Sequence, residues 1–116
     1  MSIQRLHVGK RLSEVVVHDG RVYLAGQVPQ KAAGRSVREQ TEEVLANIDA
    51  LLAEAGSDKS RILTATIYLA DMATFDDMNA AWDSWVVAGA PPARACLEAR
   101  LVRPEWGVEI VVVAAK

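Results

Sequence analysis

Lysine is scarce in this 116-residue chain. Four of its thirteen cationic side chains are lysines, fifteen side chains are acidic, and the formal net charge is −2. A protein held to nucleic acid through phosphate contacts usually carries a cationic surplus, so this balance argues against such a partner. Aromatic residues make up only 5% of the chain, too few for the stacking platforms of a single-strand binder. Cys96, the one cysteine, can build neither an internal disulfide nor a cysteine-based metal site. No apolar run approaches a membrane span, and the N-terminus lacks the basic, hydrophobic and small-residue succession of a signal peptide. A soluble cytoplasmic protein, without metal, nucleic acid or membrane, is the expectation.

What is present is a globular composition, 51% hydrophobic and 24% charged, in a chain long enough to build one core without staples. A single domain over residues 1–116 is expected. Ile3 to Val8 reads as a short strand. Glu14 to His18 and Arg21 to Ala25 are two further runs joined by Asp19-Gly20, a tight-hairpin signal. After a polar loop, Ser36-Val37-Arg38-Glu39 is a capping box, and Thr41, Val44, Leu45, Ile48, Leu51, Leu52 and Ala55 trace one helical face as far as Gly56. Ile62 to Ala70 is β-rich. Thr74-Phe75-Asp76-Asp77 opens a second helix whose Met78, Ala81, Trp82, Trp85 and Val86 share a face, and Gly89 with Pro91-Pro92 stops it.

Ala93 to Val102 and Val108 to Ala115 then read as a last strand pair. Trp106 lies in the exposed turn between them, where it could cover a cleft. The order βββαβαββ predicts an α+β fold: a mostly antiparallel sheet with two helices packed on one face. Val108, Ile110, Val112 and Ala114 point one way, yet Val111, Val113 and Ala115 are apolar too. A sheet with one wet face should alternate more cleanly, so the second face is expected to be buried against other copies of the chain.

Two charged residues stand out in these apolar strands. Alternation puts Arg94, Cys96, Glu98 and Arg100 on one face and Ala95, Leu97, Ala99 and Leu101 on the other. A guanidinium cannot shed its charge, so if enclosed it must face an anion. Either Glu98 or another carboxylate pairs with Arg94 permanently, or the site awaits an anionic ligand. Glu109 is the second such residue, with a structural pairing to Arg100 as its plain reading. If Leu101 sits opposite Val108, Arg100 faces Glu109 and Arg94 faces Ala115. Arg94 and Glu109 would then lie on the order of 20 Å apart along one sheet, able to meet only across a subunit boundary or through a long side-chain reach. Cys96 has no evident base, since the only histidines, His7 and His18, are far away in sequence, and it reads as a small pocket-lining residue.

Five segments in order, Ala25-Gly26-Gln27-Val28-Pro29, Thr41 to Gly56, Ala65 to Asp71, Met78-Asn79-Ala80-Ala81-Trp82, and Pro92-Ala93-Arg94 with Val108-Glu109-Ile110, resemble the RidA (YjgF) family. Older names for that family include endoribonuclease L-PSP and translation inhibitor. The resemblance implies a RidA/chorismate-mutase-like homotrimer with sites between subunits, no cofactor and no metal. It implies that Arg94 binds the carboxylate of a small imino acid and that Glu109 handles a proton. Gly26, Asn79, Cys96 and Leu12 would fall at substrate-binding positions. Leu12 stands where the family has a tyrosine and Ala25 where it has serine or threonine, and both changes remove a hydroxyl from the implied pocket. The segment between Asn79 and Arg94 is also about two residues shorter.

The implied activity is that of an enamine/imine deaminase hydrolysing 2-aminoacrylate or 2-iminobutanoate types to 2-oxo acids and ammonia. The alternative is a regulatory protein on the same trimer that binds small carboxylates with little or no turnover. A ribonuclease ranks third.

Overall fold

The computed structural model describes residues 2–116. Six strands and two helices follow in the order β1 (Gln4–Val8), β2 (Ser13–His18), β3 (Arg21–Leu24), α1 (Val37–Glu54), β4 (Ile62–Leu69), α2 (Phe75–Trp85), β5 (Ala93–Glu98) and β6 (Val108–Ala115). This is the predicted βββαβαββ succession. The strands form one sheet in the order β1-β2-β3-β6-β4-β5, antiparallel throughout except for the parallel β4–β5 pair.

Local chemistry explains where the elements begin and end. Asp19 and Gly20 both hold positive φ, at 53° and 76°, as the type I′ turn of a two-residue hairpin requires. Ser36 caps α1 by accepting the Glu39 N–H, and its hydroxyl in turn donates to the Glu39 carboxylate. At the other end, Gly56 takes φ +80°. The Ser57 N–H bonds to Leu52 C=O and the Gly56 N–H to Ala53 C=O, a Schellman closure.

Both helices cover one face of the sheet. Val108, Ile110, Val112 and Ala114 of β6 are buried there, in register with Leu69, Ile67 and Ala65 of β4. Against them pack Val44, Leu45, Ile48 and Leu52 from α1 and Met78, Ala81 and Trp82 from α2. Truncating Ile67 or Ile110 to Ala would cost about 2–5 kcal/mol, because so tight a centre cannot collapse onto the void. The opposite face has no such cover. Val111, Val113 and Ala115 are half-buried there, and Tyr23 and Leu97 are exposed. Among the described residues no helix is long and apolar enough to cross a membrane.

The last strand pair departs from expectation. β5 and β6 do not pair: β6 lies between β3 and β4, and β5 runs parallel to β4 at the sheet edge. The physical reason lies in the two strands' composition. β6 is apolar on both faces and takes a central slot, where both of its edges are hydrogen-bonded. β5 carries Arg94 and Glu98 and suits an edge, where charge discourages further pairing. Arg100 falls beyond the end of β5, and Glu109 is registered against Tyr68 rather than Arg100.

Trp106 is likewise not in an exposed turn. It is buried in a segment that crosses the start of α1, fastened by Gly107 N–H to Gln40 Oε1 at 2.7 Å and Gly34 N–H to Glu105 C=O at 3.1 Å. The Arg103 guanidinium lies over its ring.

Candidate functional site

The register fixes which way each candidate residue points. Ala65, Ile67 and Leu69 of β4, all buried beneath the helices, are aligned with Arg94, Cys96 and Glu98 of β5. The predicted Arg94/Cys96/Glu98 face is therefore the helix-covered face. Tyr68 is aligned with Glu109 on one side and Leu97 on the other, which puts Glu109 on the opposite, uncovered face. Arg94 and Glu109 thus leave the sheet from opposite faces, two strands apart and three residues out of step. Their Cα atoms lie on the order of 14 Å apart. A three- or four-carbon ligand cannot touch both within one chain.

The candidates accordingly fall into two groups. In the first, Arg94 extends from the edge strand toward α2. Its Nη1 donates to Asn79 Oδ1 at 2.8 Å, and its guanidinium carbon sits 5.2 Å from the Trp82 ring centre and 5.8 Å from that of Phe75. Among the described residues no carboxylate forms an ion pair with it. Glu98, the expected internal partner, instead accepts the Met72 N–H at 2.9 Å. The cation is exposed to solvent rather than enclosed; a neutral amide and two nearby aromatic rings hold it, and among the described residues no carboxylate pairs with it.

Cys96 belongs to the same group and packs partly against the core. Burial pushes its thiol pKa up, partly offset by the nearby Arg94 charge. It is a thiol at neutral pH, a poor nucleophile.

The second group lies at the other end of the sheet's central strands. Between the Tyr23↔Val113 pair and the Gln27↔Ile110 bridge the register gains one residue, so the chain bulges at Ala25-Gly26. Gly26 then comes beneath Glu109, whose carboxyl occupies the space a β-carbon would fill. Burial raises the Glu109 pKa above the ordinary carboxylate value, with no charge or hydrogen bond to offset it.

On its other side Gly26 lines a cavity of about 500 Å³ together with Leu12, Glu14, Gln27, His7 and Asn47. Leu12 is exposed in the β1–β2 connection. The buried Gln27 donates to Ala25 C=O at 3.1 Å and to Glu14 at 3.4 Å, bracing the bulge.

Sequence reasoning singled out Arg94, Asn79, Cys96, Gly26, Leu12 and Glu109, but not the Phe75 ring beside Arg94 or the Gln27 brace. Phase on α2 was the available signal for Phe75, since it precedes Asn79 by four residues and Trp82 by seven. Among the described residues no group of three or more His, Cys, Asp or Glu side chains could hold a metal ion.

Known proteins share this architecture. A RutC family protein of Haemophilus influenzae is 53% identical over 114 residues, covering 98% of each chain. The RutC family protein YoaB of Escherichia coli is 48% identical over 115 residues, 99% of each. The crystal structure of a YjgF family member from Neisseria meningitidis superposes with a TM-score of 0.97 at 51% identity, over 100% of this chain and 96% of that one. The profile of the family described as Endoribonuclease L-PSP matches residues 2–116. With that match over nearly the whole chain, and RutC and YjgF relatives near 50% identity, the chain belongs to the Endoribonuclease L-PSP family.

Proposed function

We propose that the protein is an imine deaminase, hydrolysing reactive 2-imino acids to 2-oxo acids and ammonia at sites shared between the subunits of a homotrimer. The observation that carries this reading is the accessible guanidinium of Arg94, oriented by Asn79 and left without a carboxylate partner among the described residues. A planar guanidinium in that state matches a substrate carboxylate through two parallel charge-assisted bonds.

In the trimer the Arg94, Asn79 and Cys96 group of one subunit faces Gly26 and Glu109 of the next, with Leu12 at the edge of the site. Support for the assembly comes from the uncovered apolar face of β6 and from the placement of the two groups on opposite faces of one sheet. Arg94 anchors the carboxylate, so that the C=N carbon presents its face to a positioned water. Glu109 orients that water and takes its proton, and the raised pKa makes it a better-matched base near neutral pH. The oxygen bonds to the imine carbon and the nitrogen gains a proton. Glu109 then passes the hydroxyl proton of the tetrahedral adduct to the nitrogen, and the C–N bond breaks to release ammonia as C=O forms. The imine is already electrophilic, so placement supplies most of the catalysis, and no organic cofactor or metal takes part.

The test is release of ammonia and 2-oxo acid from freshly generated 2-aminoacrylate or 2-iminobutanoate, measured against the uncatalysed background. A rate equal to background would remove the enzyme reading. A second reading, carboxylate binding with little turnover, draws on Leu12 and Ala25, which carry no hydroxyl at positions where the family resemblance implies one. Saturable 2-oxo acid binding without ammonia release would select it. Ribonuclease activity ranks below both, given the net charge of −2.

A further inference from the structure

Arg94 is seated on α2 through three residues of a single helical face. Phe75, Asn79 and Trp82 follow at i, i+4 and i+7, so their side chains stack in one row beneath the edge strand. Asn79 engages Nη1 only. The rings lie within cation–π range, at 5.2 Å and 5.8 Å. These contacts use different parts of the guanidinium. Aromatic rings attract its flat face, whereas a carboxylate binds in its plane through the N–H edge. The Nε–Nη2 edge has no hydrogen-bond partner among the described residues. Ring contact and anion contact can therefore coexist at this solvent-exposed guanidinium, and the rings restrain the cation without neutralising it.

We propose that Phe75 and Trp82 are positioning residues that hold the Nε–Nη2 edge of Arg94 ready for the ligand carboxylate. They set affinity for the anion and leave the chemical step alone. The identity of that anion as a 2-imino or 2-oxo acid rests on the function proposed above. Trp82 also packs in the core, buried against Met78 and Ala81, so Phe75, which is only partly buried, is the cleaner position to vary.

The probe is pyruvate, a stable 2-oxo acid, with its Kd measured by calorimetry and kcat and KM measured with 2-iminobutanoate. Phe75→Leu should weaken pyruvate binding and raise KM by roughly 3- to 10-fold, with kcat within about twofold. Phe75→Tyr restores a ring and should return both constants to within about twofold of the parent. Circular dichroism and solution mass verify folding, and Phe75→Met substitutes if the leucine variant fails to fold. The inference is overturned if Phe75→Leu binds pyruvate as the parent does. It is also overturned if Phe75→Tyr is as weak as Phe75→Leu, since packing volume alone would then matter. A parent that binds pyruvate with this ring dependence yet releases no ammonia would keep the aromatic seat and remove the deaminase. A parent that binds no pyruvate would overturn the aromatic seat, while ammonia release would still decide the deaminase.

Discussion

A β-carbon added to Gly26 would stand 2.0 Å from Oε2 of Glu109. The glycine is what lets this carboxylate lie flat against the β3–β6 bulge. Gly26→Ala should therefore fold, since the atom in the way is the end of a flexible side chain, but Glu109 would have to swing off its position. We expect imine hydrolysis to fall roughly 10- to 100-fold, a substantial part of the value of a positioned base. Thermal melting paired with the ammonia assay reads both halves, and unchanged turnover would show that the position of Glu109 is immaterial.

Glu109→Gln should lower kcat/KM by roughly 100-fold, because the amide keeps the size and cannot take a proton. The same substitution separates catalysis from stability. Burial raises the folded-state pKa of Glu109, so the folded form holds its proton to higher pH than the unfolded form. Its contribution to stability is then most favourable below the unfolded carboxylate pKa and is lost as pH rises through the folded one. Activity runs the other way, increasing as Glu109 ionises. The parent should show an acidic limb in kcat/KM above the ordinary carboxylate range, and Glu109→Gln should lack that limb while melting no lower at neutral pH.

Arg94→Lys retains charge but loses the planar fork. A loss of about 2–3 kcal/mol, or roughly 30- to 150-fold in kcat/KM, is expected. Stability should barely change, because no ion pair within the described residues depends on Arg94. Unfolding of this variant, measured by denaturant titration, would assign the arginine a structural role.

Cys96→Ser should retain most of the parent activity, since burial keeps the thiol protonated and water is the proposed nucleophile. In keeping with that, iodoacetamide should modify Cys96 slowly at neutral pH. A dead serine variant beside a nearly normal Glu109→Gln would overturn the mechanism in favour of covalent chemistry.

Light scattering of dilute protein should report three times the 12.6 kDa chain mass. A well-folded monomer would remove the shared site, because Arg94 and Glu109 leave opposite faces of one sheet.

Features set by neighbours in sequence were legible without the structure. The Asp19-Gly20 turn, the Ser36 cap, the Gly56 termination and the Met78–Trp82 stripe each depend on residues within a turn or two of one another. Alternation also placed Arg94, Cys96 and Glu98 on one face correctly. The partner of β5 was not legible. Adjacent strands usually pair, and nothing local shows that β6 passes over β5 to lie beside β4. Which faces Arg94 and Glu109 share with the helices follows from that register, so it was equally out of reach. Trp106 was misplaced for the same cause, since a presumed hairpin turn is in fact a crossing segment packed on α1.

The central position of β6 has a kinetic consequence. Its two neighbours, β3 and β4, precede it in the chain by many residues and have no direct pairing with each other. Until β6 arrives, the β1–β2–β3 meander and the β4–α2–β5 unit share no strand pairing, and each leaves a sheet edge open. Joining them closes long loops in one step, which makes folding slow relative to a helical chain of this size and leaves sticky edges exposed in the interval. Substitutions along β6 should therefore slow refolding as well as speed unfolding, and aggregation during refolding should rise steeply with protein concentration.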